Sequence, residues 1–161
     1  MRNPLRRLVL ASVFAIVGCQ APPPKPPPPD TVTQGSLLTV TKSFVIPAGG
    51  SGIYFQDNQP QSRSDLAAGL PYCYFALSAP TKSALTVGPQ TFMVTNTEYD
   101  EDAAPHGGFS SVTRINLRYG KLAKPPHLSC RSPGAAESQR FVTPAEIRGA
   151  MDAYFTLKLA Q

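Results

Sequence analysis

Alternation between hydrophobic and polar residues is the main pattern of the chain from residue 36 to residue 161, and a period of two is typical of β-strands. The first alternating stretch is interrupted at Lys42, and a glycine-rich turn follows over residues 47–52. This turn and the short apolar run after it predict a hairpin with a long loop. The first strand's apolar face consists of Leu38, Val40, Phe44 and Ile46, and the run after the turn is Ile53, Tyr54 and Phe55.

Further strands are predicted downstream. They cover residues 72–77, 91–99, 112–119 and 127–130, with residues 155–159 as a docked last strand. In the first of these, Cys73, Phe75 and Leu77 share one side. Residues 63–70 form a polar connection with room for one helical turn, and the acidic residues 100–102 are predicted to lie in a solvated loop.

One helix is predicted near the C-terminus. Thr143 has the features of an N-cap, Pro144 of the first helical residue, and Glu146 completes a capping box. The sequence therefore predicts a mainly β (α+β) fold: an antiparallel sheet, or a small sandwich or barrel, of five to seven strands with one C-terminal helix. The apolar stripe of the helix is Ile147, Ala150, Met151 and Tyr154.

Residues 1–18 have the three parts of an export signal. Arg2, Arg6 and Arg7 form a positive start, residues 8–17 form an apolar run, and a small residue precedes Cys19. A ten-residue helix spans only about 15 Å, half of a bilayer core of roughly 30 Å. The segment is therefore predicted to be a signal peptide and not a spanning helix.

The sequence Ile16-Val17-Gly18-Cys19 resembles the bacterial lipobox. The resemblance implies cleavage after Gly18, a diacylglyceryl group on the Cys19 sulfur and an acyl chain on the new amino group. Several acyl chains anchor a protein stably to a membrane. By the same resemblance, Gln20 implies sorting to the outer membrane, with the inner membrane as the alternative. We expect the lipid-anchored domain to lie on the periplasmic face. A plain signal peptide cut near Gly18, with Cys19 incidental, is the other interpretation.

Proline is concentrated just after this segment. Of the 18 prolines, seven lie in residues 22–29, which predicts a polyproline II tether about 30 Å long. A ligand for a proline-binding groove is the alternative role. The predicted domains are thus 1–18, the signal peptide; 19–35, the lipidated N-terminus and tether; and 36–161, the periplasmic β domain.

The positive net charge belongs mostly to the signal. Without its three arginines, the 15 Lys and Arg become 12 against 10 Asp and Glu, so that +5 becomes +2. This balance argues against nucleic-acid binding. Four basic residues on and after one strand either contact lipid headgroups, anionic glycan or a partner protein, or form an ordinary solvated face. They are Arg114, Arg118, Lys121 and Lys124.

Three cysteines leave two for the domain once Cys19 is lipidated. Cys73 and Cys130 each lie on the apolar side of a predicted strand, and export exposes them to an oxidising compartment. They are therefore predicted to form a disulfide. Two separate buried thiols are the alternative.

Candidate catalytic and metal-binding groups are few. His106 and His127 have no zinc-type spacing, and Ser51 lacks the spaced glycines of a nucleophile elbow, so no catalytic residue, metal or cofactor is predicted. A deep pocket lined by Tyr72, Tyr74 or either histidine favours a ligand-binding or enzymatic role. A flat aromatic or apolar patch favours protein interaction.

Several short segments together resemble a loose group of small, uncharacterised proteobacterial envelope lipoproteins. The resemblance implies a mainly β domain with two cysteines and no particular activity. We expect a non-enzymatic envelope lipoprotein, bound to the membrane by its anchor and to an envelope protein. The alternative is a binding or hydrolytic module for cell-wall glycan or a small ligand. The segments are Ile53-Tyr54-Phe55-Gln56, Pro71-Tyr72-Cys73-Tyr74-Phe75, Leu128-Ser129-Cys130 and residues 141–148.

Overall fold

The computed structural model describes residues 31–103, 109–120, 125–133 and 141–161, without the side chains of 101–103 and 109. The predicted signal peptide, Cys19 and the proline segment lie outside these residues. A 3-10 turn covers Arg63–Asp65. The strands and helix are β1 (Leu37–Val40), β2 (Phe44–Ile46), β3 (Gly52–Gln56), β4 (Gln59–Gln61), β5 (Tyr72–Ala76), β6 (Leu85–Val87), β7 (Gln90–Ala103), β8 (Phe109–Arg118), β9 (His127–Pro133), α1 (Pro144–Met151) and β10 (Phe155–Lys158).

Eight strands form one antiparallel sheet that curls into a half-barrel. Their order is β10-β1-β7-β8-β9-β5-β3-β4, and β2 pairs with β6 in a second, two-stranded sheet. The mainly β fold with a C-terminal helix is therefore confirmed. The main sheet alone has eight strands instead of the five to seven expected, because a short strand such as β4 has no clear alternation to reveal it.

The core lies on the inner face of the main sheet, where α1 and the small sheet cover it. Phe44 of the small sheet packs with ring centroids 5.1 Å from Phe55, 5.4 Å from Phe75 and 5.5 Å from Phe155. Aromatic pairs at such distances add to the stability that burial provides. Val32, in the segment expected to be part of the tether, is also buried in this core.

The predicted hairpin around the glycine-rich turn is wrong. The stretch from Leu38 to Ile46 forms two strands in different sheets, and β3 pairs with β4 and β5 instead of β2. The chain leaves the main sheet at Lys42, where the alternation is interrupted. Both halves keep their apolar residues inward. The predicted apolar face is therefore correct, although the predicted strand pairing is not.

The solvated acidic loop is a second correction. Residues 100–102 belong to β7 and pair with residues 110–112 of β8. At this end of the β7–β8 hairpin, the acidic residues of β7 lie opposite Ser110, Ser111 and Val112 of β8, which are buried. Hydrophobic alternation ends before the strands do.

Helix α1 begins as the sequence predicted. Thr143 Oγ1 accepts a hydrogen bond from the backbone N–H of Glu146, and the Glu146 carboxylate accepts one from the backbone N–H of Thr143. Ser132 Oγ donates to the other oxygen of the same carboxylate at 2.6 Å. The cap therefore also fixes the helix to β9.

Candidate functional site

Cys73 and Cys130 occupy directly opposed positions in β5 and β9. Their sulfur atoms are 2.07 Å apart and their Cα atoms 4.0 Å apart, so the predicted pair is a disulfide. Both residues are buried in the core. The bond joins two strands whose cysteines are 57 positions apart in sequence.

The four basic residues do not form a uniform patch in the described part of the chain. Arg114 lies on the outer face of β8, opposite Glu98 of β7, with 3.9 Å between guanidinium and carboxylate. Both side chains are more than half exposed, so this ion pair contributes little to stability. Arg118 is exposed at the end of β8. Lys121 and Lys124 lie outside the described residues.

The two histidines are not brought together by any described contact. His127 is half-buried in β9, and His106 lies outside the described residues. Burial lowers the pKa of His127 below its ordinary value; Arg114 lowers this pKa further, and Glu98 acts in the opposite direction. The imidazole is therefore held in its neutral form. Within the described residues, no group of three or more acidic, histidine or cysteine side chains is arranged to hold a metal ion.

Three tyrosines form a cluster on the outer face of the sheet. Tyr54 and Tyr74 are direct partners across β3 and β5, and their rings stack with centroids 4.4 Å apart and planes 30° apart. The ring of Tyr72 lies 6.0 Å from that of Tyr54. Stacking of this kind holds the rings in defined positions.

The ring of Tyr74 is fixed from a second side. Gly52 of β3 lies directly beside it, and a Cβ at that position would come within 2.7 Å of the ring. The Tyr74 hydroxyl and Ser51 Oγ are hydrogen-bonded at 2.9 Å. A glycine in a strand often marks such a close approach, and here it allows Tyr74 to lie against the backbone.

A groove of about 650 Å³ runs over this cluster. We call it the tyrosine groove: Tyr54 and Tyr74 line its floor, and the segments 47–53 and 60–65 line its two walls. Tyr72, which the sequence had proposed as a pocket residue together with Tyr74, stands beside it and does not line it. His127 does not line it either.

Hydrogen bonds fix the 47–53 wall and the loop that follows the 60–65 wall. Thr81 donates from its N–H to the Gly50 carbonyl at 2.9 Å and from its hydroxyl to the Pro47 carbonyl at 3.0 Å. Behind the other wall, the buried amide of Gln56 donates to the carbonyls of Ala67 and Leu70 and accepts from the Ala67 N–H. The groove is therefore a formed feature of the fold.

The polar side chains of the 60–65 wall differ in whether they have hydrogen-bond partners. Asp65 accepts hydrogen bonds from Ser62 at 2.7 Å and from Ser64 at 3.4 Å. Gln61 Oε1 is buried and has no hydrogen-bond partner among the described residues. Burying such an acceptor unpaired costs about 1–3 kcal/mol, so it is a feature that calls for an explanation.

Tyr54 is the titratable group that the groove perturbs. Burial raises the pKa of its phenol above the ordinary value; Arg63 acts against this shift, and Tyr74 and Tyr72 add to it. The shift favours the protonated form of this hydroxyl.

Most groove residues were not foreseen from sequence. Tyr54, Gln61 and Arg63 meet only because β3, β4 and β5 pair side by side. One signal was present: Tyr54 lies between two inward residues, and Tyr72 and Tyr74 fall on the outward side of their strand. Three large aromatic residues at outward positions are a hint of a binding face.

Searches against protein-family models, curated proteins and solved structures found no match to this chain. In the described ranges no helix is both long enough and apolar enough to span a bilayer. The chemistry of the groove is therefore inferred from the residues that line it.

Proposed function

We propose that this protein is a membrane-anchored envelope lipoprotein whose β domain has a non-enzymatic binding or structural role. The observation that carries this proposal is the division of the three cysteines. Cys73 and Cys130 bond to each other inside the domain, which leaves Cys19 at the lipobox position as the cysteine available for lipid. A disulfide in the core is also typical of exported proteins.

The anchor sets the location. A triacylated Cys19 holds the chain in a bacterial membrane, and Gln20 directs it to the outer membrane, with the domain on the periplasmic face. The proline segment then acts as a semi-rigid spacer between the lipid and the domain. A partner protein of the envelope or the cell wall itself is within reach of a domain held this way.

The second candidate is a module that acts on cell-wall glycan, and the tyrosine groove favours binding over hydrolysis. Glycoside hydrolysis in most enzymes uses two carboxyl groups flanking the bond that is cleaved. Among the residues that line the groove, Asp65 is the one carboxylate. We therefore propose binding and no cleavage.

Metabolic labelling with radioactive palmitate in a bacterial host tests the anchor. The wild-type chain should incorporate label and Cys19→Ala should incorporate none. The double variant Cys73→Ala/Cys130→Ala is the matched control, since it keeps Cys19 and should be labelled like the wild type. Label that survives in Cys19→Ala contradicts the proposal.

Fractionation of the same cells tests the membrane. The wild-type protein should sediment with the outer membrane, and Gln20→Asp should shift it to the inner membrane. Recovery of the wild-type protein in the soluble periplasmic fraction contradicts an anchored protein.

A further inference from the structure

A second cavity, which shares no lining residue with the tyrosine groove, lies over β7, β8 and β9 and has a volume of about 280 Å³. We call it the charged cavity. The carboxylates of Glu98 and Asp100 line its β7 side. Arg114 of β8 lines the other side, together with Ser129 and Arg131 of β9. The two sides of the charged cavity therefore carry opposite charges.

The strand register explains why there is space at this position. In one row across the three strands, Val112 lies between Asp100 and Arg131. In the next row, Ser129 is the direct partner of Arg114. Short side chains therefore stand beside long arginine side chains, which leaves a hollow on the sheet. Val112, which is buried, forms the apolar part of its lining.

Two hydrogen-bond donors on the basic side are not used within the described part of the chain. The Arg114 guanidinium lies 3.9 Å from the Glu98 carboxylate, which is too long for a hydrogen bond. The Ser129 hydroxyl also makes no hydrogen bond to a described residue. Side chains at directly opposed strand positions have Cβ atoms only about 5 Å apart, so both donors can reach one anionic group. A guanidinium binds a carboxylate through two parallel hydrogen bonds.

The acidic side offers a carboxylate in a defined position. Glu98 Oε1 accepts hydrogen bonds from Asn96 Nδ2 at 3.2 Å and from Asn116 Nδ2 at 3.1 Å. The second oxygen, Oε2, is the one nearest Arg114. Because the side chains of Glu98 and Arg114 are both more than half exposed, a molecule in solution can reach them.

The positive charge of Arg114 is not cancelled by its neighbour Glu98. Burial is the chief cause of the lowered pKa of His127, on the adjacent strand β9. The second cause is Arg114, whose effect on this pKa exceeds the opposite effect of Glu98. The two sides of the cavity therefore keep distinct electrostatic preferences, an anionic group beside Arg114 and a cationic group beside Glu98.

We propose that the charged cavity binds a small zwitterion, an amino acid or a dipeptide with free amino and carboxyl ends. Its carboxylate accepts hydrogen bonds from Arg114 and Ser129, and its ammonium group donates to Glu98. The volume of about 280 Å³ lies just below the usual range of small-ligand sites, about 300–1,000 Å³, which suits a ligand of this size. The proposal does not depend on the lipid anchor.

Calorimetric titration of the purified full-length chain with glycylglycine tests the site. This dipeptide has no stereocentre, and a non-ionic detergent keeps the chain in solution whether or not it is lipidated. The wild type should show saturable binding. Arg114→Gln should raise Kd about tenfold, which corresponds to about 1.4 kcal/mol, and Ser129→Ala should raise it by a smaller factor.

Two blocked forms of the ligand test the two sides separately. N-acetylglycylglycine lacks the ammonium group and glycylglycine amide lacks the carboxylate, so each should bind about tenfold more weakly than glycylglycine. Glu98→Gln should weaken the binding of glycylglycine but not that of the acetylated form. Equal binding of either blocked form and glycylglycine by the wild type overturns the proposal.

Arg118→Gln is the matched control. It removes another exposed arginine of β8, outside the cavity, and should bind glycylglycine like the wild type. Thermal unfolding of each variant checks its fold. Absence of saturable binding by the wild type, or an unchanged Kd in Arg114→Gln, overturns the proposal. The palmitate experiment is independent of these titrations, so a failed anchor and a failed zwitterion site give different results.

Discussion

Two buried threonine hydroxyls on neighbouring strands differ in their hydrogen bonding, so removing them should change stability differently. Thr113 Oγ1 on β8 accepts from the buried backbone N–H of Val142 at 2.8 Å. Thr97 Oγ1 on the neighbouring strand β7 is buried without a partner among the described residues. The two threonines therefore form a matched pair in which the same substitution has opposite consequences.

Thr113→Val should lower the free energy of unfolding by about 1–3 kcal/mol, because it leaves the Val142 N–H buried and unpaired. Thr97→Val should leave it unchanged or raise it, since a buried unpaired hydroxyl is replaced by a methyl group. Urea denaturation of both variants measures the difference. Equal destabilisation by the two substitutions would contradict the assigned hydrogen bonding.

His127 should make stability depend on pH. Its pKa is lowered in the folded protein, chiefly by burial, so the unfolded chain binds the proton more tightly. The stabilising contribution is complete above the ordinary pKa of about 6.5 and is lost as pH falls through the lower folded value. Urea midpoints of the wild type should therefore fall between about pH 7.5 and pH 5, and His127→Gln should reduce that fall. An identical pH profile in the variant would refute this role.

At the scale of elements, local signals predicted well what depends on neighbouring residues. The cap at Thr143 and the last strand were predicted correctly, because each follows from spacing within about ten residues. The sequence did not predict which strands pair with each other. The pairing of β3 with β5 depends on contacts between residues about 20 positions apart, and no local pattern encodes it.

The groove was hidden for the same reason. Its floor joins β3 to β5, and its walls combine the ends of β3 and β4 with connections that alternation does not describe. Sequence identified Tyr74 as a pocket candidate but had no means to place Gln61 beside it. Buried and unpaired groups become visible only once the fold is known.

Gly52 should be the glycine least tolerant of a side chain in this region. A Cβ there would meet the Phe75 carbonyl oxygen as well as the Tyr74 ring. Gly52→Ala should lower the free energy of unfolding by about 1–3 kcal/mol through overpacking, and it should also displace Tyr74.

Gly149 on α1 is the matched control. Nothing lies within 4 Å of a Cβ at this exposed helical position. Gly149→Ala should raise the free energy of unfolding by about 0.5–1 kcal/mol because alanine is the better helix former. Chemical denaturation measures both variants, and a neutral Gly52→Ala would mean that the close packing of Tyr74 is wrong.

For the whole molecule, the first described residues and the groove lie at different parts of the sheet. The chain enters beside β7, where the Gly35 N–H donates to the Val94 carbonyl, and the groove lies over β3, β4 and β5. Four strand spacings of about 4.8 Å separate β7 from β3, or about 19 Å along the sheet. The groove is thus kept away from the point where the described chain enters the sheet.

The disulfide should account for a large part of the stability of the domain. Reduction frees a loop whose ends lie 57 positions apart, and the chain-entropy relation gives about 4 kcal/mol as an upper value. Urea midpoints with and without reductant measure this loss. Reductant should have no effect on Cys73→Ala/Cys130→Ala, and an unchanged midpoint in the wild type would show that the bond does not stabilise the domain.

The central claim is that one cysteine carries lipid while the other two bond to each other. Intact-mass spectrometry of the protein extracted from bacterial membranes under non-reducing conditions tests it most directly. The predicted result is a chain that begins at Cys19, carries the mass of a diacylglyceryl group and an acyl chain, and gains no mass from a thiol-alkylating reagent after denaturation. A chain without lipid mass, or one that takes up alkylating reagent at Cys73 and Cys130, would contradict the account.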